Sequence, residues 1–360
     1  MRGSIVVQEA INSPHGDNAA SSTFSGSRFS LGAGGGAAYR SDPDFWQRNG
    51  LRANSSVGYP DSKVFGEGGY SYTSSAQLEY DTNYNLWVFS PNQGGTGAFS
   101  VSTDSIHWTL RTVGFPQYGT RGRFATNGSG FYVLLGQYNV ATSTDTVHWK
   151  MRTIAYTSQR KYDIAYGNGQ YLVAGDTYAN SASTDGIHWM LRTVGGSSGS
   201  HEHEFASYGN GQFVLCNDGY SSAPIITSTD TIHWQRRTVP TQYYGYGASF
   251  TNNRWFLAGN SKFAVSTDVV HWELRTVPTN LYDMKGTKVV KYGNYLGTNV
   301  YMAGGNGNGL YYSTDTIHWN PNRITSNNEG ATAGYYTFAV KDGSGANEGW
   351  RVAGYNGSAP

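Results

Sequence analysis

Ile164-Ala165-Tyr166-Gly167-Asn168-Gly169-Gln170-Tyr171-Leu172-Val173-Ala174-Gly175, followed by Ser183-Thr184-Asp185-Gly186-Ile187-His188-Trp189, is the stretch that decides the fold. Two apolar runs flank Asn168-Gly169. Asn-Gly is the strongest short-range signal for a two-residue β-hairpin, because both turn positions require positive φ. In the second element the Ser, Thr and Asp side chains can accept hydrogen bonds from backbone N–H groups and fix a turn. Beyond that turn Ile187, Trp189, Leu191 and Thr193 point one way and His188, Met190 and Arg192 the other, the alternation of a strand.

Both elements recur. The Ser-Thr-Asp element returns at 102–108, 143–149, 228–234, 266–272 and 313–319, and its successive aspartates lie 38 to 47 residues apart. That is the length of four short strands and their turns, the unit of a propeller blade. Hairpins related to the first begin near Tyr80, Phe124, Phe205, Ala248, Val290 and Phe338, with Asn127-Gly128, Asn210-Gly211 and Asn252-Asn253 at the turn. Seven hairpins thus face six complete motifs. The missing motif is sought at the other end of the chain, where Tyr39-Arg40-Ser41-Asp42-Pro43-Asp44-Phe45-Trp46 keeps the Asp-to-Trp spacing.

The expectation is an all-β, seven-bladed β-propeller of four-stranded blades spanning 37–360. Segments 37–50 and 335–360 would share the closing blade, which would remove open sheet edges. Residues 1–36 fit no blade and read as an N-terminal arm, ordered against a partner or disordered. Residues 51–78 read as a Gly-, Ser- and Tyr-rich insertion, either a contact surface or the cover of a blade edge.

The motif resembles the Asp-box of the sialidase-type (BNR) repeat, usually Ser-x-Asp-x-Gly-x-Thr-Trp. It departs from that pattern by one residue, as Ser-x-Asp-x-x-x-Trp, and only Gly186 supplies a glycine directly after the aspartate. The resemblance covers nearly the whole chain. It implies architecture, since that box sits away from the family's catalytic centre. Asp42, Asp104, Asp145, Asp185, Asp230, Asp268 and Asp315 are read as structural turn residues. Trp46, Trp108, Trp149, Trp189, Trp234, Trp272 and Trp319 are read as filler between blades. Arg111, Arg152, Arg192, Arg237 and Arg275, three residues beyond five of these tryptophans, are expected to pair with a neighbouring blade's carboxylate or to cap backbone.

The candidate sites are sparse. Six histidines in register, His107, His148, His188, His233, His271 and His318, belong to different blades and cannot converge on one ion, whose zinc–nitrogen distances would be about 2.0–2.1 Å. His201 and His203 share a strand face and are the one candidate divalent-ion pair, with a solvated loop as the alternative. Tyr243, Tyr244 and Tyr246 could stack on a sugar ring or simply pack. No cofactor is expected.

Composition narrows the partners. With 25 Lys and Arg against 24 Asp and Glu, the net charge of +1 offers no basic excess for nucleic acid. One cysteine, Cys216, excludes an intrachain disulfide. The apolar run at Ile5-Val6-Val7 is too short for a secretory leader, and no segment reaches the roughly 18–20 apolar residues of a membrane span. Sialidase chemistry would need three unique arginines around a substrate carboxylate, a tyrosine nucleophile with a nearby glutamate, and an aspartic acid. The arginines instead concentrate at the repeated position.

Strings such as Ser183-Thr184-Asp185-Gly186-Ile187-His188-Trp189 and Tyr166-Gly167-Asn168-Gly169-Gln170-Tyr171 look like those of propeller-containing virion proteins of tailed bacteriophages. The resemblance implies a non-enzymatic virion structural protein (tail, fibre or capsid-associated), made in the host cytoplasm and assembled into an oligomeric particle. The arm would dock to other virion proteins, and an opposite face would contact host surface glycans in attachment. A sialidase-like glycan-processing enzyme and a free-standing carbohydrate-binding lectin are the alternatives.

Overall fold

The structure is a computed structural model. It describes residues 4–10, 28–29, 77–90, 97–103, 109–115, 120–155, 159–176, 180–194, 203–217, 225–240, 247–259, 262–276, 290–295, 298–304, 310–322, 336–341 and 349–356. The first strands are β1 (Ser4–Ala10) and β2 (Arg28–Phe29). Blade I follows with β3 (Gln77–Asp81), β4 (Leu86–Ser90), β5 (Ala98–Ser102) and β6 (Thr109–Thr112). Blade II is β7 (Thr120–Thr126), β8 (Tyr132–Gly136), β9 (Val140–Ser143) and β10 (Lys150–Arg152). Blade III is β11 (Lys161–Gly167), β12 (Gln170–Gly175), β13 (Asn180–Ser183) and β14 (Met190–Arg192).

Blade IV is β15 (His203–Gly209), β16 (Gln212–Asn217), β17 (Ile225–Ser228) and β18 (Gln235–Arg237). Blade V is β19 (Gly247–Thr251), β20 (Arg254–Gly259), β21 (Lys262–Ser266) and β22 (Glu273–Thr276). Blade VI is β23 (Val290–Tyr295), β24 (Thr298–Gly304), β25 (Leu310–Ser313) and β26 (Asn320–Asn322). The terminal hairpin is β27 (Tyr336–Lys341) and β28 (Gly349–Asn356). In each blade the four strands pair in chain order as an antiparallel meander.

The repeat therefore builds six blades in a ring, and the expected seven-bladed count is corrected. The overturning finding is the partner of the terminal hairpin. β28 pairs antiparallel with β1, from Ser4↔Asn356 to Glu9↔Arg351, and β1 pairs parallel with β2. This sheet, ordered β2-β1-β28-β27, draws on residues assigned from the sequence to an arm and is not a meander blade. Its strand β27 stands between β23 of blade VI and β3 of blade I. Asp42 and Trp46, on which the seventh blade was predicted, lie outside the described residues, as does all of 37–50. Ile5-Val6-Val7 carries the β-branched run that suits a strand.

The hairpins form as the turn chemistry demands. Asn168 and Gly169 sit at φ 47° and 71°, Asn210 and Gly211 at 45° and 75°, and Asn252 and Asn253 at 47° and 55°. Positive φ at both central positions marks the I′ turn whose twist matches the flanking strands. Blade II differs. Its turn is wider, and the Asn127 side-chain oxygen accepts from the backbone N–H of Ser129 and Phe131.

The core lies between blades. Ala165, Leu172 and Ala174 of blade III pack against Ala206, Phe213 and Leu215 of blade IV, with Trp234 against the cluster. Ile164, Tyr171 and Val173, on the opposite face of blade III, pack against Val133, Leu135 and Val140 of blade II, with Trp189 alongside. Successive interfaces repeat this plan, with Trp149, Trp272 and Trp319 in the corresponding places. Trp149 meets Phe99 of blade I edge-on at 5.2 Å, and Trp319 lies 5.1 Å from Phe263 of blade V.

Innermost strands of neighbouring blades are stitched by side chains. Gln77 exchanges two hydrogen bonds with the Phe124 backbone, at 3.0 and 3.1 Å. Asp163 accepts from Ala206 N–H at 2.8 Å, and Ser249 from Val290 N–H at 3.2 Å. Each bond satisfies a buried donor that no strand partner reaches.

Candidate functional site

The motif turns are built alike in the five described copies. At Asp185, Oδ1 accepts from the backbone N–H of Ile187 and His188, both at 2.8 Å, and from the Ser183 hydroxyl at 2.9 Å. His188 Nδ1 lies 2.6 Å from Oδ2, and Trp189 Nε1 donates to the Gly186 carbonyl at 3.0 Å. The histidine and tryptophan bonds recur at Asp145 with His148 and Trp149, Asp230 with His233 and Trp234, Asp268 with His271 and Trp272, and Asp315 with His318 and Trp319. Asp104 and Trp108 lie outside the described residues.

The residue after each aspartate is left-handed. Thr146, Gly186, Thr231, Val269 and Thr316 have φ of 60°, 72°, 63°, 60° and 70°. Only glycine adopts that conformation freely; another side chain costs about 1–2 kcal/mol there. The hydrogen bonds of the turn hold it.

Donated hydrogen bonds also set the charge state. At Asp145, Asp230 and Asp268 the imidazole, then the backbone N–H groups, hold the carboxyl well below its usual range. At Asp185 and Asp315 partial desolvation pushes upward first, and the N–H and imidazole bonds together outweigh it. These aspartates are ionised acceptors committed to their own turns. The imidazoles point outward, with side chains 82–87% exposed.

The arginines differ from expectation. Arg152 and Arg237 Nε donate to the hydroxyls of Thr142 and Thr227 within their own blades, each at 3.2 Å. Arg275 meets Glu273 of its own strand.

His203 opens β15, buried, with Nδ1 3.2 Å from Asn180 Nδ2 of blade III. His201, Tyr243, Tyr244 and Tyr246 lie outside the described residues. Among the described residues, no group of three or more His, Cys, Asp or Glu is placed to hold a metal ion. Among them, too, no helix is long and apolar enough to cross a membrane.

The innermost strands enclose a central cavity of about 240 Å³. One register position from each blade lines it: Glu79, Ala125, Ala165, Ser207, Ser249 and Lys291. These residues occupy one column of the hairpins, opposite Val88, Val133, Leu172, Val214, Phe256 and Met302. Lys291 Nζ lies 3.3 Å from Glu79 Oε2 and 3.5 Å from Oε1, with the two side chains 21% and 19% exposed. Tyr166, Tyr208 and Phe250 add aromatic wall.

Deeper in the inner strands, Arg123 Nε lies 3.5 Å from Asp163 Oδ1, both side chains almost wholly buried. Desolvation pulls the Arg123 guanidinium below its ordinary value, against the attraction of Asp163, Glu204 and Glu79. Neither Glu79 nor Lys291 belongs to a motif. Aligning the hairpins by column would have found them, as the charged members of that column.

No family model matches this chain, and no curated protein matches it. Solved structures do. A catalytically inactive virginiamycin B lyase from Staphylococcus aureus, with quinupristin, matches at 10% identity and TM-score 0.60, over 79% of this chain and 96% of the lyase. YCF48 from Cyanidioschyzon merolae matches at 12% and 0.55, over 78% and 95%. The Pan2 WD40 domain of Neurospora crassa matches at 10% and 0.52, over 79% and 90%. The likeness shows a β-propeller fold and carries no activity across.

Proposed function

We propose that this chain is a non-enzymatic structural component of a phage particle, a tail, fibre or capsid-associated body that acts by multivalent, non-covalent contact. One observation carries the reading, the repeated exterior of the motif turns. Val147, Ile232, Val270 and Ile317 are 43–54% exposed, each beside an outward imidazole. Exposed apolar groups mark interaction surfaces, and identical weak contacts presented side by side add to a strong one. The motif carboxylates are engaged in their turns. The resemblance of the motif to Asp-box and virion propeller sequences supports the same reading, with other virion proteins as partners and host glycans as the outward target.

Quantitative mass spectrometry of density-purified particles tests this. A fixed copy number per particle is expected, and a chain found only free in the lysate would sink the reading. A second reading, an enzyme acting at the ring centre, is favoured by the Glu79–Lys291 pair in its cavity and by lyases among the fold relatives. Turnover of sialylated glycans or of quinupristin by the pure chain would favour it.

A further inference from the structure

We propose that the central cavity binds a small zwitterion of the α-amino-acid class, with its carboxylate on Lys291, its ammonium on Glu79 and its apolar body against Tyr166, Tyr208 and Phe250. The proposal is independent of the assembly reading. Six blades offer one residue each to the same level of the cavity, and four of the six are Ala125, Ala165, Ser207 and Ser249. The two charged ones have opposite sign and come from blades VI and I. Their separations of 3.3 and 3.5 Å exceed the roughly 2.7–2.9 Å of a closed charge-assisted hydrogen bond. Both remain about one-fifth exposed, so solvent reaches them.

Charge selects the ligand class. An anion alone would satisfy Lys291 and leave Glu79 facing its negative charge, and a cation alone would do the reverse. A zwitterion replaces both halves of the pair without leaving an uncompensated charge in a partly desolvated site. Size selects further. A cavity of about 240 Å³ lies below the ~300–1,000 Å³ of drug-sized pockets, so an oligosaccharide or nucleotide is too large. The aromatic wall favours an apolar or aromatic side chain on the ligand.

The test is calorimetric titration of the full chain with L-phenylalanine, 3-phenylpropionate and phenethylamine. The native chain is expected to bind L-phenylalanine saturably at millimolar concentration and the other two at least about tenfold more weakly, a difference of about 1.4 kcal/mol. Glu79→Gln is expected to invert the order in favour of phenylpropionate, and Lys291→Met in favour of phenethylamine. A pair serving only to brace the ring would not produce that crossover. The charge-swapped double variant Glu79→Lys/Lys291→Glu keeps the pair, guards against loss of fold, and is expected to retain L-phenylalanine binding. Absence of saturable binding to the native chain, or unchanged preference in both single variants, overturns the proposal.

Discussion

The hairpins at the junction of blades III and IV solve one packing problem, and those of blades I and II solve it by the opposite means. At the first junction Gly167 lies under the ring of Tyr208, so close that an added Cβ would sit 2.0 Å from the ring. Tyr208 in turn packs 4.8 Å from Phe213 across its own hairpin. At the second junction Asp81 takes the place of Gly167 and Thr126 the place of Tyr208, as the strand registers show. The space left by the missing ring admits the Asp81 side chain, which accepts from the Tyr132 hydroxyl at 2.8 Å. A second exchange occurs at the motif turn. Phe131 lies beside Gly186, where an added Cβ would fall 2.6 Å from its ring, whereas Thr231 in the next blade hydrogen-bonds Gln170 at 2.9 Å. The repeat thus preserves the volume of each slot and not the residue in it.

The sharpest way to break this comparison is to force a side chain into the closed slot. Gly167→Val should cost about 3 kcal/mol or more in urea unfolding, the upper range for overpacking. Gly167→Asp should be similarly harmful alone, and much less so combined with Tyr208→Thr, which imports the solution of blades I and II. Additive losses in that double-mutant cycle would refute the exchange.

Next in size is the inner-strand start of blade III, where Lys161 is fully buried at the bulge position that holds His203 in blade IV. Desolvation lowers the Lys161 ammonium to about 8, against the attraction of Asp176. Its folded value lies below the unfolded 10.5, so the unfolded chain binds more protons between the two. Stability should therefore rise as pH goes from about 8 to 10.5. Lys161→Met should stabilise by up to about 3 kcal/mol at pH 7 and flatten that rise. Unfolding midpoints across this range decide it.

Tyr132→Phe should cost about 1–2 kcal/mol, because it removes one donor from the buried Asp81 carboxylate. The same change at Tyr208, whose ring serves by packing, should cost less. Equal losses would erase the distinction between the junctions.

The smallest effect belongs to the individual motif turns. Their aspartates titrate below the usual 3.8, so their contribution is present above that value and is lost as pH falls through the lower folded values. Acid unfolding followed by near-ultraviolet circular dichroism should show this loss, and Asp230→Asn should remove one turn's share of it.

Much of this was legible in the sequence, because a period near 40 residues prints turn, strand and tryptophan together. The interblade place of Trp149 and Trp319 follows from strand alternation and volume. The closing arrangement was not legible. Pairing of Ile5-Val6-Val7 with Tyr355, Gly354 and Ala353 joins residues almost a chain length apart and leaves no periodic trace. The count of seven rested on Asp42 and Trp46, which lie outside the described residues. The left-handed residue after each aspartate was visible only at Gly186, since threonine and valine at that position conceal the conformation. Glu79 and Lys291 were missed because chemistry at the centre of a ring comes from one column read across blades, and no local stretch contains it.

The clasp between β1 and β28 has a consequence for how the molecule comes into being. Synthesis delivers Ser4–Ala10 to the ribosome exit long before Gly349–Asn356, so this β-branched strand waits for its partner while every blade is made. The waiting edge is a temporary adhesive surface, open to capture by a second nascent chain. Closure is the last and most sequence-distant pairing, the kind that folds slowly. Moving Ser4–Ala10 by circular permutation to follow Asn356 would make the clasp local, and should raise the yield of refolded monomer.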